Sequence, residues 1–207
     1  MEIKHDQSLE QSILEVAEKL FLEKGFASTS TTEIAKEVGC NQALVHYYFR
    51  TKENLFNVIF EQKFKLFFQG IFEMKNMGEL KFQDKLKHII ETHFDLLRKN
   101  PRMPRLILNE LSRRPDQISI LREKLHLLPE LVFTELNKDL QAEIKLGNIR
   151  NISLIDIIFS MLSLNIALFV MLPVAESLLQ LNEFQKETLL DHRRSENVEF
   201  ILKSLRP

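Results

Sequence analysis

Gly39-Cys40-Asn41-Gln42-Ala43-Leu44-Val45-His46-Tyr47-Tyr48-Phe49 is the stretch whose reading decides the fold. On a helix opened by Asn41, Val45 and Phe49 stand at i and i+4 and form one inward edge. Gln42, Ala43, Leu44, His46 and Tyr47 are then left outward or at the flank. Upstream, Ser30-x-x-Glu33 reads as a capping box: the hydroxyl accepts from the third N–H and the carboxylate returns to the cap N–H. The helix it opens carries Ile34, Ala35 and Val38 inward and stops at Gly39. Before it, Ile13, Leu14, Ala17, Leu20 and Phe21 recur at helical spacing, and Gly25 stands where a C-cap would fall. Two short helices joined by a Gly-containing turn and packed on an amphipathic helix make a helix-turn-helix. Such a unit lays its second helix in the major groove of DNA.

The rest of the chain reads as helix too. Thr51 caps a fourth helix from Lys52 to about Lys75, and Met77-Gly78-Glu79 separates it from a fifth, about Leu80 to Lys99, closed by Asn100-Pro101. Further helices are expected at about Pro104–Arg113 and Asp116–Leu146, the latter bent or broken near Pro129. Gly147-Asn148 makes a turn. Ser153-x-x-Asp156 opens a helix without charge from Ile157 to Ala175, which Pro173 is expected to kink or end. A last helix covers about Glu183–Leu205. No stretch alternates in the manner of a strand. The expected fold is all-α: an N-terminal three-helix module at 1–52, then a helical effector-binding and dimerisation domain at 53–207, with the fourth helix shared between them.

Composition sets limits. The 207 residues are 44% hydrophobic and 28% charged, which supplies a soluble chain with a sizeable core. Scarce Gly (5) and Pro (6) favour helices. The single cysteine, Cys40, excludes an intrachain disulfide and reads as a small turn residue. No secretory signal is expected, and a reducing cytoplasm is the natural setting. Net charge is −1. Residues 1–52 hold six Lys/Arg against eight Asp/Glu, so DNA binding must rest on geometry and not on a basic patch. The uncharged stretch approaches the length of a membrane span, but Ser160, Ser163, Asn165 and Pro173 interrupt it and no Lys/Arg cluster flanks it. A helix buried on both faces, in a core and a subunit interface, gives the same pattern, so no membrane is expected.

Phe21-x-x-x-Gly25-Phe26, Thr29-Ser30-x-x-Glu33-Ile34-Ala35-x-x-x-Gly39 and Tyr47-Tyr48-Phe49-x-x-Lys52-x-x-Leu55 together resemble the DNA-binding signature of the tetracycline-repressor (TetR) family. The resemblance covers about residues 10–56. It implies a dimeric, one-component regulator of about nine helices, most often a repressor, acting on a palindromic operator. By the same resemblance Ser30 and Thr32 meet backbone phosphates, with Thr32 sometimes reaching a base. Asn41, Gln42, Ala43, Leu44 and His46 occupy the recognition positions, and Tyr47, Tyr48 and Lys52 the phosphate contacts. The chain departs from the common pattern of Ser, Lys, Gly, Thr and Tyr at 41, 42, 43, 44 and 46. Those departures should set which operator is read.

Read on its own chemistry, Gln42 can grip adenine bidentately, and Ala43 and Leu44 can touch a thymine methyl. Lys52, in the first turn of its helix, offers a phosphate clamp. His93 lies on the apolar face of the fifth helix, either as a satisfied core histidine or as a polar anchor in an effector cavity. Asn165 carries the same two readings, with a subunit-crossing hydrogen bond as a third, and Asn109 is a further ligand candidate. The effector is expected to be a mostly apolar small molecule. His88 and His93, five residues apart, diverge by about 140° on a helix and cannot share a metal. No metal motif, nucleophile elbow, phosphate-binding loop or dinucleotide fingerprint occurs, so neither cofactor nor enzymatic chemistry is expected. The rivals are an architectural DNA-binding protein on the same scaffold with no inducer, and a membrane-associated protein anchored by 157–175.

Overall fold

The computed structural model describes residues 2–72, 80–113 and 128–207. Every regular element among them is helical: α1 Glu2–Lys24, α2 Thr31–Val38, α3 Gln42–Phe49, α4 Lys52–Phe72, α5 Phe82–Lys99, α6 Met103–Arg113, α7 Leu128–Lys145, α8 Leu154–Leu179 and α9 Glu183–Ser204. The all-α architecture is the one expected. Two compact units divide the chain, residues 1–64 with 105–114 and residues 65–104 with 115–207, so that α4 passes from one to the other.

In the first unit α2 packs on both α1 and α3. Ile13, Ala17, Leu20 and Phe21 of α1, Ile34 and Ala35 of α2, and Val45 and Phe49 of α3 are buried together with Leu55, Phe56, Ile59 and Phe60 of α4. Phenylalanine rings build much of this core. Phe56 meets Phe21 edge-on at 5.1 Å and Phe26 at 4.9 Å, and stacks on Phe60 at 5.8 Å.

In the second unit α5 packs against α7, α8 and α9, and α8 against α9. Phe82, Leu86, Ile89 and Ile90 of α5 meet Leu136 and Leu140 of α7, Ile157 and Met161 of α8, and Val198 and Ile201 of α9. Ion pairs rim this core. Arg194 of α9 holds Asp95 bidentately at 2.8 Å and Glu91 at 3.0 Å, while Arg98 pairs with Asp191 at 2.6 Å and with Glu187.

One local expectation is corrected and a second is narrowed. The Ser30 hydroxyl accepts from the Glu33 N–H at 3.1 Å, but the Glu33 carboxylate does not return to the cap: it pairs with Lys24, at the end of α1. A charged partner at that point outbids a neutral backbone donor. The complete capping box lies at Asn182 and Gln185, opening α9. Pro173 does not end α8, which runs on to Leu179; the proline removes one hydrogen bond, and its ring lies on the exposed side. Of the helix expected over 116–146, the part before Leu128 lies outside the described residues.

Among the described residues α8 is the one helix long and apolar enough to cross a membrane. Its Leu154, Ile157, Ile158, Met161, Asn165, Phe169 and Leu172 are buried, whereas Ile155, Phe159, Met171, Val174, Leu178 and Leu179 are exposed. Within one chain, therefore, only one face of this helix is covered.

Candidate nucleic-acid interface

The turn between α2 and α3 is three residues long, and each has a defined task. Gly39 adopts φ 79°, a left-handed conformation that costs other residues, and ends α2. The Cys40 N–H reaches back to the Ala35 carbonyl at 2.9 Å and the Gly39 N–H to Lys36 at 3.2 Å, satisfying the last carbonyls of the helix. Asn41 then caps α3, its Oδ1 accepting from the Ala43 N–H at 3.0 Å. Cys40 is half-buried, and burial pushes its thiol up, away from the reactive thiolate.

This turn aims α3. Val45 and Phe49 are buried; Asn41, Ala43, Leu44, His46 and Tyr47 are exposed, with Tyr47 at 63%; Gln42 and Tyr48 are half-buried. The Tyr47 and Tyr48 rings meet edge to face at 5.3 Å. Ser30 and Thr32 are exposed at the start of α2. Of the residues singled out from the sequence, Ser30, Thr32, Asn41, Ala43, Leu44, His46 and Tyr47 are exposed, while Gln42, Tyr48 and Lys52 are half-buried.

Lys52 is placed in more detail than its type foretold. Its ammonium donates to the carbonyls of Phe26 (3.0 Å) and Thr29 (2.9 Å) and sits 4.2 Å from the centre of the Phe26 ring. It thus ties the start of α4 to the loop after α1, and the two carbonyls take two of its three ammonium protons. Thr29 itself is buried, its hydroxyl donating to the Gly25 carbonyl at 3.0 Å.

Acidic residues of the unit are partly spoken for: Glu37 pairs with Lys19 at 2.8 Å, Glu18 with Lys63 at 2.6 Å, and Glu33 with Lys24. The Lys19 bond holds the Glu37 carboxyl below its ordinary range.

Two residues missed in the sequence shape this face. Arg50, at φ 64°, ends α3 and turns its carbonyl to His46 Nδ1, 3.1 Å away. Thr31 receives the Gln42 amide at 3.0 Å. Neither leaves a local signal, because a non-glycine residue at positive φ is set by its surroundings and the Thr31–Gln42 contact crosses the turn.

The ligand candidates fall apart into two places. Asn109 is exposed on α6 in the first unit. His93 and Asn165 are fully buried in the second unit and belong to one hydrogen-bonded chain. Arg193 donates to Asn197 Oδ1 (2.6 Å), Asn197 Nδ2 donates to Asn165 Oδ1 (2.8 Å), and Asn165 Nδ2 donates to the Ile90 carbonyl (3.1 Å) and to His93 Nδ1 (3.1 Å). The guanidinium only donates, and that fixes both amides and makes His93 Nδ1 an acceptor. Burial lowers the His93 pKa to about 4, which keeps the ring in the neutral form this chain requires. Asn197 and Arg193 were not foreseen, although Asn197 stands seven residues from buried Leu190 and so shares its inward register.

A separate cleft of about 420 Å³ runs beside α5 and α9, with Lys87, Glu91, Glu199 and Lys203 among its lining residues. Its charged lining differs from the apolar cavity expected for an effector.

Residues 13–59 match the family model of bacterial regulatory proteins, tetR family. The chain is similar to the HTH-type transcriptional regulator AcrR of Shigella flexneri, 29% identical over 61% of this chain and 49% of that protein. It is also similar to the fatty acid metabolism regulator protein of Bacillus subtilis (strain 168), 26% identical over 67% and 69% of the two chains. The alignment thus spans about half the length of AcrR. Among solved structures, a bacterial regulatory protein in the tetR family from Rhodococcus RHA1 superposes with a TM-score of 0.71 at 18% identity, covering 96% of this chain and 97% of the other. That likeness establishes the shared fold.

Proposed function

We propose that this chain, whose residues 13–59 match the family model of tetR-family bacterial regulatory proteins, is a sequence-specific DNA-binding transcriptional regulator of that family, acting as a dimeric repressor on a palindromic operator. The observation that carries the reading is the outward face of α3: Gln42, Ala43, Leu44, His46 and Tyr47 project from a helix anchored by Val45 and Phe49. Ser30, Thr32, Tyr48 and Lys52 flank it as phosphate contacts, and Asn41 combines its cap with the edge of that face. Lys52 keeps one ammonium proton for this role beyond its two carbonyls.

Dimerisation answers two needs. A module without a basic surplus gains affinity when two half-sites are engaged together, since the second contact is effectively intramolecular. The exposed apolar side of α8, with Phe200 of α9, also needs a cover that a cytoplasmic protein finds in a second copy. The effector is a mostly apolar small molecule that favours a dimer spaced wrongly for DNA. Similarity to a fatty acid metabolism regulator supports an apolar ligand class. The reading is of a regulator and not an enzyme.

Selection of bound sequences from random DNA is the test. A palindrome with half-sites about 34–36 Å apart is expected. Lys52→Ala should weaken binding to all sequences alike and lower the salt slope by about one. Absence of any enriched sequence would sink the regulator reading, and a non-palindromic consensus the dimeric one. Light scattering on a Phe159→Glu, Phe200→Glu variant should give a monomer.

A further inference from the structure

On the outward face of α3 a short hydrogen-bond chain limits what Gln42 can offer to a base. The Nδ1 of His46 lies 3.1 Å from the Arg50 carbonyl oxygen. A carbonyl only accepts, so in the neutral ring the proton sits on Nδ1 and Nε2 is a lone pair. The Gln42 group 3.4 Å from Nε2 is then its amide nitrogen, not its oxygen. That same nitrogen donates to Thr31 Oγ1 at 3.0 Å. The Thr31 hydroxyl alone could not orient the carboxamide, because it donates as readily as it accepts; the imidazole removes the ambiguity. An amide nitrogen has two protons, and these two acceptors take both. Oε1 remains as the polar atom Gln42 can present.

We infer that Gln42 reads DNA as an acceptor only, with His46 and Thr31 as its positioning residues. The inference rests on the reading of α3 as the recognition helix. A free glutamine grips adenine through two bonds, its oxygen taking the N6 amine and its amide N–H giving to N7. Here the N–H is already committed. An acceptor alone meets the exocyclic amine of adenine or of cytosine equally, and it faces the lone pairs of guanine O6 and thymine O4 with repulsion. The base selected on the contacted strand is therefore adenine or cytosine, over guanine or thymine. His46, with Nδ1 on a carbonyl and Nε2 on Gln42, acts on specificity through its neighbour.

Two measurements test this together. The first is selection from random DNA with the full chain and with Thr31→Val, His46→Phe, the double variant and Gln42→Ala. In the unsubstituted protein one position of each half-site should accept adenine and cytosine alike, each favoured over guanine and thymine by about fivefold or more. The double variant frees the amide, and adenine should then exceed cytosine at that position by about fivefold. The second measurement needs no DNA: the Gln42 side-chain amide protons in an amide-resolved NMR spectrum should shift in His46→Phe and in Thr31→Val. Unmoved resonances in both single variants overturn the hydrogen-bond chain. Moved resonances with a Gln42→Ala consensus identical to the parent's show instead that α3 does not read DNA through Gln42. If Gln42→Ala alters one position but the double variant leaves its adenine-to-cytosine ratio unchanged, the acceptor-only reading fails while the recognition helix stands.

Discussion

The two compact units settle their polar groups in opposite ways. In the first, the groups that define geometry are local and near the surface: the Ser30 cap, the Gly39 turn and the Asn41 cap each act within a few residues. In the second, the defining polar groups are remote in sequence and buried, as Asn197, Asn165 and His93 join three helices through a core, with half-buried Arg193 at one end of the chain. Local devices can be replaced one at a time at modest cost, since water can take over an exposed donor. A buried chain has no such substitute. The first unit suits a surface meant to meet a polar partner, and the second a core held in one register.

Breaking the second kind should therefore cost most. Asn165→Leu leaves the Asn197 amide and His93 Nδ1 without their bonds, and should lower stability by about 3 kcal/mol. Urea unfolding followed by helical circular dichroism checks it, the chain having no Trp to report. Adding Asn197→Leu should cost less than the sum of the two single changes, because both ends of one bond are then removed. Strict additivity would mean the chain is not a unit.

Acid attacks the same place. His93 is held near pKa 4 in the folded state against an ordinary 6.5, so between these values the unfolded chain binds a proton that the folded one does not. Stability is thus full above about pH 6.5 and falls as pH drops toward 4, by roughly 3 kcal/mol in all. A His93→Gln variant, which keeps an acceptor but cannot titrate, should lose that part of the slope. An unchanged slope would show that other groups carry it.

The local devices of the first unit should yield smaller numbers. Gly39→Ala meets no atom within 4 Å of the added Cβ, so its cost is backbone strain at positive φ, about 1 kcal/mol. Ser30→Ala removes one capping bond and should cost about 1 kcal/mol or slightly less, with Glu33 still held by Lys24. Hydrogen exchange at the amides of α2 reads both directly. An effect of either as large as that of Asn165→Leu would erase the distinction between the units.

Much of the first unit was legible because its signals are short-ranged. Ser30, Gly39, Asn41 and Thr51 each act within a few residues of themselves, and the inward pair Val45 and Phe49 follows from helical period alone. That Ala43, Leu44, His46 and Tyr47 of α3 face outward, with Gln42 at the flank, could be read the same way. What those residues are free to do could not: Gln42 is bonded to Thr31 across the turn, and Lys52 to carbonyls at 26 and 29. In the second unit the apolar register of α5 and the uncharged run of α8 were plain, but His93 and Asn165 each kept several readings.

By itself, then, the sequence determined that the chain is helical, where the caps and turns around α2 and α3 fall and which of their faces turn inward, since caps, turns and period are written in neighbouring residues. Only the tertiary structure decided the partners of the polar side chains. It gave His93 and Asn165 to one another and to Asn197, and it set the Gln42 amide toward Thr31 and His46. A hydrogen bond needs two groups at one place and angle, and for residues distant in the chain that meeting exists only once the helices have packed.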